Sequence, residues 1–367
     1  MTKLEQARKK INEIDEKMAK LFEERMEASK EVALYKKENA LPIVDKMREK
    51  ELILKNSKYV EDVVIGEYYV NFLQSVMDLS KKYQFRLLEG QKVGYCGVEG
   101  AFGHIAAKKM FNNATLLSFK NFEETYHAVE NGSCDVAILP IENSYAGDVG
   151  TVMDLIFSGS LFINQILDLD VVHHLIGTVD ASIDTIKTVY SHPQALSQCS
   201  DYLKSHHFKE VEYANTALAA KEIAKLNDNT IASIASVDTA ELYGLKVIES
   251  NINTTRNNTT RFVALSRSQN LPDALTKMGE HFILVFTVKN EAGALANTLN
   301  IIGAHGFNMR TLRSRPMKEL LWNYYFYVEL DGNINSEDGK DMLIQLRTVC
   351  DLSLIHISEP TRPEPIS

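Results

Sequence analysis

The most informative chemistry lies where a helical pattern is broken. Leu4, Ile11, Met18 and Val32 recur at seven-residue spacing, with Ile14 and Leu21 beside them. Arg25 fills the remaining place in that stripe. A guanidinium among apolar residues is costly unless something pairs it. Further on, Val70, Leu73, Met77, Ser80 and Gln84 keep helical spacing, so Ser80 and Gln84 stand where core residues belong. Asp45, Arg48, Glu49 and Leu52 share one helical face. Two readings stand: a buried polar pocket for an anion, or a charge-laced coiled coil with tolerated polar positions.

A second set of polar residues sits at strand edges. Leu139-Pro-Ile-Glu-Asn-Ser144 follows an apolar run and leads into Ala146-Gly-Asp-Val-Gly150-Thr151. Ser191-His-Pro-Gln-Ala-Leu-Ser-Gln-Cys199 puts Ser191 at a strand end and Gln198 in the next helix. Asn258-Thr-Thr-Arg-Phe262 precedes another apolar strand. Strand edges are the usual ligand positions in α/β proteins, although each stretch alone is also ordinary turn or capping chemistry. The run from Val93 to His104 spaces its glycines as GxxGxxGxxG, not GxGxxG, which argues against a dinucleotide site. It remains either an anion-binding turn or a plain tight turn.

The elements that must position these residues fall into three segments. Residues 3–39 contain no Gly or Pro and predict one helix of about 55 Å. That is too long for a small domain alone and implies a partner chain. Shorter helices are expected over 45–55 and 61–85. Residues 91–267 alternate strands (92–95, 136–139, 188–190, 230–235, 262–265) with helices (104–111, 122–130, 196–203, 216–226, 236–243), an α/β pattern with mainly parallel pairing and two lobes about a cleft. Residues 281–350 read βαββα, one strand short of a βαββαβ sandwich.

Composition narrows the class. Forty-five per cent of residues are hydrophobic and 24% charged, as in soluble globular proteins. The net charge of −9 opposes a general nucleic-acid or membrane-surface binder. Residues 1–88 carry 18 basic and 16 acidic side chains, whereas the remainder carries 22 and 33, so the first segment has its own surface chemistry. Cys96, Cys134, Cys199 and Cys350 lie far apart without metal-ligand or disulfide-scaffold spacing. With neither an apolar leader nor a membrane-length run, a cytoplasmic protein is expected.

The first segment resembles the all-helical chorismate mutases. Arg8, Arg25, Lys36, Asp45, Arg48, Glu49, Ser80 and Gln84 match that family's pattern across 77 residues. The resemblance implies an intertwined dimer in which Arg8 enters the partner's site. Arg25 and Arg48 would hold the two carboxylates of chorismate, and Lys36 and Gln84 would donate to the ether oxygen. Asp45 and Glu49 would orient the ring hydroxyl side, supported by Ser80. A unimolecular rearrangement needs only a gripped conformer and fixed donors where charge develops.

Residues 91–267 resemble prephenate dehydratase through PIENS, SHPQALSQC and NTTRF in combination. The resemblance implies active-site roles for Glu142, Asn143, Ser191, Gln198 and Thr260, with Thr260 the proton donor. Arg261 would anchor a substrate carboxylate or brace the cleft, and His192 would be structural. No metal or cofactor is implied. Ala101 and Gly103 depart from the family, which often carries hydroxyl residues there. The third segment resembles the ACT amino-acid-binding domain, with Gly293, Ala294 and Leu295 opening a helix. Arg313, Ser314, Arg315 and Pro316 match its ESRP element except that Arg313 replaces Glu. This implies inhibition by L-phenylalanine bound between paired domains.

The expected organisation is therefore an all-α domain over 1–88, a two-lobed α/β domain over 91–267 and a ferredoxin-like α+β domain over 279–351 lacking its last strand. Residues 352–367 resemble a translated sequencing adapter and are expected to be a non-native tail, since three prolines in six residues cannot continue a sheet. The whole reads as a homo-oligomeric, bifunctional enzyme of phenylalanine biosynthesis. Its alternatives are an arogenate-preferring dehydratase and a non-catalytic amino-acid sensor.

Overall fold

A computed structural model describes residues 2–39, 41–255, 257–268, 281–317 and 323–360. The chain divides into two compact units, Met1–Gln91 and Lys92–Ser367.

The first unit is helical: α1 (Lys3–Glu38), α2 (Lys46–Asn56) and α3 (Val63–Glu89). Thr2 and Glu5 cap α1 reciprocally, and Asp45 and Asp62 cap α2 and α3 through their carboxylates. Helix α3 buries Leu73, Val76, Met77, Ser80 and Gln84, the face expected from their spacing. Helix α1 buries only Ala33. Its stripe of Leu4, Ile11, Met18 and Val32 is exposed on the single chain.

The second unit begins with a lobe of β1 (Lys92–Cys96), α4 (Phe102–Met110), β2 (Thr115–Phe119), α5 (Phe122–Glu130), β3 (Val136–Asn143), β4 (Gly147–Asp148), α6 (Gly150–Ser158) and β5 (Phe162–Asp170). The chain then builds a second lobe: β6 (His174–Gly177), β7 (Thr188–Ser191), α7 (Pro193–Gln198), α8 (Ser200–Ser205), β8 (Lys209–Glu212), α9 (Thr216–Leu226), β9 (Ile231–Ala235), α10 (Val237–Leu242) and β10 (Lys246–Glu249). It returns as β11 (Thr259–Ser266) between β3 and β5. A C-terminal module follows: β12 (His281–Val288), α11 (Ala294–Ala304), β13 (Asn308–Pro316), β14 (Tyr324–Asp331), α12 (Glu337–Leu346) and β15 (Cys350–Pro360).

The larger sheet runs β13-β14-β12-β15-β5-β11-β3-β1-β2 with β4 on β3, and the smaller runs β10-β6-β9-β7-β8. One core joins Leu139, Ile141, Ile163, Val263 and Leu265 to Ile283, Val285, Tyr325 and Tyr327, so the C-terminal module shares apolar packing with the first lobe.

The expectation of mainly parallel pairing is corrected. β1 pairs in parallel with β2 and β3, and β7 with β8 and β9, but β11 is antiparallel to both neighbours and β6 to both of its own. The return of the chain from the second lobe imposes this direction. The expected helix over 196–203 is two helices divided at Cys199. The expectation of a missing last strand is also corrected. β15 runs antiparallel to β12 from Val288↔Cys350 to His281↔Ser358, and the first of the late prolines, Pro360, ends it. Trp322 and residues 361–367, with Pro363 and Pro365, lie outside the described residues.

One glycine shows how tightly the first lobe closes. A Cβ on Gly159 would overlap the Tyr126 hydroxyl and lie 2.7 Å from the Leu155 carbonyl oxygen. That hydroxyl accepts from Leu161 N at 3.0 Å and is buried. Gly159→Ala is expected to destabilise the protein by about 2 kcal/mol through overpacking. Urea denaturation measures it, and an unchanged midpoint contradicts it.

Candidate functional site

A cleft of about 530 Å³ opens between the two lobes of the second unit. The first lobe supplies Phe102, Pro140, Asn143, the turn 146–149, Thr260 and Phe262. The second supplies His192, Gln194, Gln198 and residues 214–216, and Val171 and His173 lie where the chain crosses between lobes. That volume suits a small organic ligand.

Asn143 organises the first wall. Its side-chain nitrogen donates to Thr260 Oγ1 at 2.8 Å and Asn258 Oδ1 at 2.9 Å. Its oxygen accepts from Tyr145 N at 3.0 Å and Ala146 N at 2.8 Å. Because Thr260 accepts from Asn143, its own hydroxyl proton is available to a ligand. Register pairs Thr260 with Asn143 across β11 and β3. On the opposite wall, Gln198 accepts from His173 Nε2 at 2.8 Å. The N-termini of α4 and α9 also reach the cleft, at residues 101–103 and 214–216. First-turn amides and helix dipoles favour anions there. Among the lining residues there is no Lys or Arg, and Asp148 is the only carboxylate.

The expected dehydratase residues divide. Asn143, Gln198 and Thr260 line the cleft; Glu142, Ser191 and Arg261 do not. Ser191 is fully buried and donates its hydroxyl to Ile234 O at 2.8 Å. Arg261 braces: its guanidinium bonds Asp168 at 2.7 and 3.0 Å and Glu329 at 2.8 Å, and Asp168 chiefly holds it above its ordinary pKa. Glu142 meets Arg313 Nη2 at 2.5 Å. His192 lines the cleft and caps α7, its Nδ1 accepting from Gln194 N at 3.2 Å. A Cβ on Gly103 would stand 2.9 Å from Cys96 O, so a hydroxyl side chain would require this turn to open.

In the helical unit, Arg25 donates to Ser80 Oγ, joining α1 to α3, and its partial burial lowers its pKa. Ser80 itself donates to Val76 O at 2.8 Å. Gln84 is buried with Oε1 unpartnered. Glu49 meets Lys81 at 3.0 Å, joining α2 to α3. Lys36 donates to Ile43 O at 2.6 Å. Arg8, Asp45 and Arg48 are exposed; Asp45 accepts from Arg48 N at 3.0 Å, and Arg48 reaches Glu51 at 3.6 Å. The single chain thus joins Arg25 to Ser80, with Gln84 buried on the same helix, and leaves Arg8 and Arg48 exposed.

The expected regulatory residues divide as well. Gly293 takes φ +84° at the cap of α11, followed by Ala294 and Leu295, and Leu295 borders a hollow of about 150 Å³ with Tyr324 and Phe326. Ser314 and Pro316 are exposed on β13, whereas Arg313 and Arg315 turn to the first lobe, Arg315 meeting Asp154 at 3.0 Å. Asp148 and His173 are among the cleft residues that escaped sequence reasoning. Asp148 lay unremarked within a glycine loop. His173 sits in Val171-Val-His-His174, which carries no signal separating it from a core histidine.

Comparison with known proteins follows the same division. The family described as chorismate mutase type II matches residues 7–85, and prephenate dehydratase matches residues 93–270. A bifunctional chorismate mutase/prephenate dehydratase of Buchnera aphidicola subsp. Acyrthosiphon pisum is 32% identical, covering 93% of this chain and 92% of its own. Among solved structures, GqqA, described as a novel type of quorum-quenching acylase, aligns at TM-score 0.67 and 26% identity, covering 74% of this chain and 100% of its own. The prephenate dehydratase of Staphylococcus aureus aligns at 0.63 and 28%, covering 73% and 98%. That of Arthrobacter aurescens, in complex with L-Phe, aligns at 0.65 and 24%, covering 72% and 89%, a likeness of fold.

Burial lowers the pKa of His173, His174 and His104 in the folded chain. Unfolded histidine titrates near 6.5, so the unfolded chain takes up these protons first as pH falls. Their neutral burial carries no penalty above that value. Stability is expected to drop below about pH 6.5, by up to about 1.4 kcal/mol per pH unit for each histidine. Denaturant titrations from pH 7.5 to 5 read this slope, and His173→Gln should make it shallower; an identical slope contradicts the assignment.

Proposed function

Because the chain belongs to the family of bifunctional chorismate mutase/prephenate dehydratases, we propose that its two units divide two consecutive reactions of phenylalanine biosynthesis. The enzyme rearranges chorismate to prephenate and converts prephenate to phenylpyruvate. The observation that carries the residue assignment is the bond from Asn143 to Thr260 in a cleft flanked by helix N-termini.

Prephenate takes up one proton and yields phenylpyruvate, carbon dioxide and water. Thr260, held as an acceptor by Asn143, donates to the departing C4 hydroxyl. Gln198, fixed by His173, addresses the substrate from the other lobe. The amides at the starts of α4 and α9 hold the pyruvyl carboxylate, and the ring carboxylate, poorly solvated beside Phe102 and Phe262, leaves as carbon dioxide. Aromatisation drives the step. Glu142 and Arg261 act by shaping the first lobe's wall, and Ser191 by shaping the second's.

In the mutase unit, Arg25 and Arg48 grip the chorismate carboxylates, and Lys36 and Gln84 donate to the ether oxygen. Asp45, Glu49 and Ser80 orient the ring and the cations. A second copy of the chain covers the stripe on α1 and brings Arg8 into this site. The exposure of Leu4, Ile11, Met18 and Val32 supports that dimer.

The organisation proposed is mutase over 1–88, dehydratase over 91–267 and an ACT regulatory domain from 279 onward. The strand order β13-β14-β12-β15 of the last is ferredoxin-like, with β15 extending it beyond residue 351. L-Phenylalanine is its ligand, bound beside Gly293 and Leu295. The four free cysteines fit a reducing cytoplasm.

Thr260→Ala should lower phenylpyruvate formation by about a hundredfold or more while chorismate still yields prephenate. Lys36→Ala should do the reverse. Ultraviolet assays with each substrate separate the two, and joint loss of both activities in either variant would refute separate sites. In the same assay, millimolar L-phenylalanine should depress phenylpyruvate formation; an unaltered rate refutes the regulatory assignment.

A further inference from the structure

Asp148 sets a problem for a cleft that admits a dianion. It is the only carboxylate among the lining residues, with no Lys or Arg beside it in the lining. It also pairs directly across β4 and β3 with Glu142. Like charges opposite each other on a sheet repel, and the field of Asp148, the one that lines the cleft, would extend into it. The neutralising charge comes from outside. Arg313, on β13 of the C-terminal module, meets Asp148 Oδ1 through Nε at 3.0 Å and Glu142 Oε1 through Nη2 at 2.5 Å. Its side chain is 14% exposed, and its guanidinium lies 5.8 Å from the centre of the Tyr327 ring. A planar guanidinium spans two carboxylates as a lysine ammonium cannot. This is also the position where the third segment departs from its family pattern, Arg standing in place of Glu.

We propose that Arg313 is a positioning and specificity residue of the dehydratase cleft: it cancels the charge of Asp148 and pins the turn 146–149, so that a doubly anionic substrate can enter. The proposal rests on reading the cleft as the prephenate site. Arg313 acts through Asp148 and need not touch the substrate. The C-terminal module thereby completes the electrostatics of the site it packs against, in addition to any ligand it binds itself.

The test is a double-mutant cycle on the full-length chain, with prephenate as substrate. Arg313→Gln should raise KM about tenfold by uncovering a negative charge near the substrate, with kcat within about twofold. Added salt should narrow the gap. Mutase activity of the same chain should be unaltered. In an Asp148→Asn background, Arg313→Gln should move KM less than about twofold. An unchanged KM in Arg313→Gln overturns the proposal, as does a rise that persists in the Asp148→Asn background, because Arg313 is then only a brace. Should Arg313→Gln fail to fold, Arg313→Lys is read instead. It should give an intermediate KM with a steeper salt dependence, and a wild-type KM and salt dependence overturn the proposal. Absence of prephenate turnover in the wild-type chain would instead refute the reading of the cleft.

Discussion

The dehydratase half depends on the hydrogen bonds of one buried amide. Asn143 fixes Thr260 and Asn258 on one side and the backbone of Tyr145 and Ala146 on the other. It ties β3 to β11 and shapes the turn between β3 and β4. An amide suits this place because it donates and accepts at once without bringing charge. A carboxylate there could not donate to Thr260, and the threonine proton would then be drawn inward and away from the ligand. On the proposed assignment, the direction of that single hydrogen bond decides whether the cleft can assist a leaving hydroxyl.

On the proposed assignment, the two units would handle anions by different physics. The helical unit places a cation, Arg25, against the buried hydroxyl of Ser80, which would suit a reaction whose developing charge needs point donors. The cleft of the second unit has no cationic lining and relies on helix starts and neutral hydrogen-bond donors. That arrangement suits a decarboxylation, in which a tightly paired carboxylate would be slow to leave. Arg261 and Arg313 stand behind the wall, each paired with two carboxylates. Cations behind a wall set its charge without clasping what lies in front of it.

Much of this was legible in the sequence, for reasons that can be named. Arg25, Ser80 and Gln84 stood out because they violate a strong helical period, and a hydrogen bond joins the first two directly. The motifs at 139–144, 191–199 and 258–262 marked the correct strand edges. They misled within themselves, because adjacent strand residues face opposite ways. Asn143 and Thr260 face the cleft, whereas Glu142 and Arg261 turn toward the C-terminal module. Ser191 is consumed by a backbone carbonyl that no sequence pattern announces. Strands such as Phe162–Asp170 and Lys209–Glu212 were missed, and the short, largely exposed Lys209–Glu212 has little apolar character to find. The strand Cys350–Pro360 was missed because its prolines were weighed as a group, although only Pro360, its final residue, lies within it.

The second lobe is inserted between two strands of the first. The chain leaves after β5 and begins its return near Ile252, whose N bonds His173 O at 3.0 Å. The returning strand, β11, lies in the middle of the larger sheet with β3 and β5 on either side. During synthesis from the N-terminus, the intervening lobe is therefore entirely translated before the earlier lobe can close its own sheet. Until β11 emerges, the facing edges of β3 and β5 are open templates, and the nascent polypeptide is most vulnerable to mispairing with its neighbours during that interval.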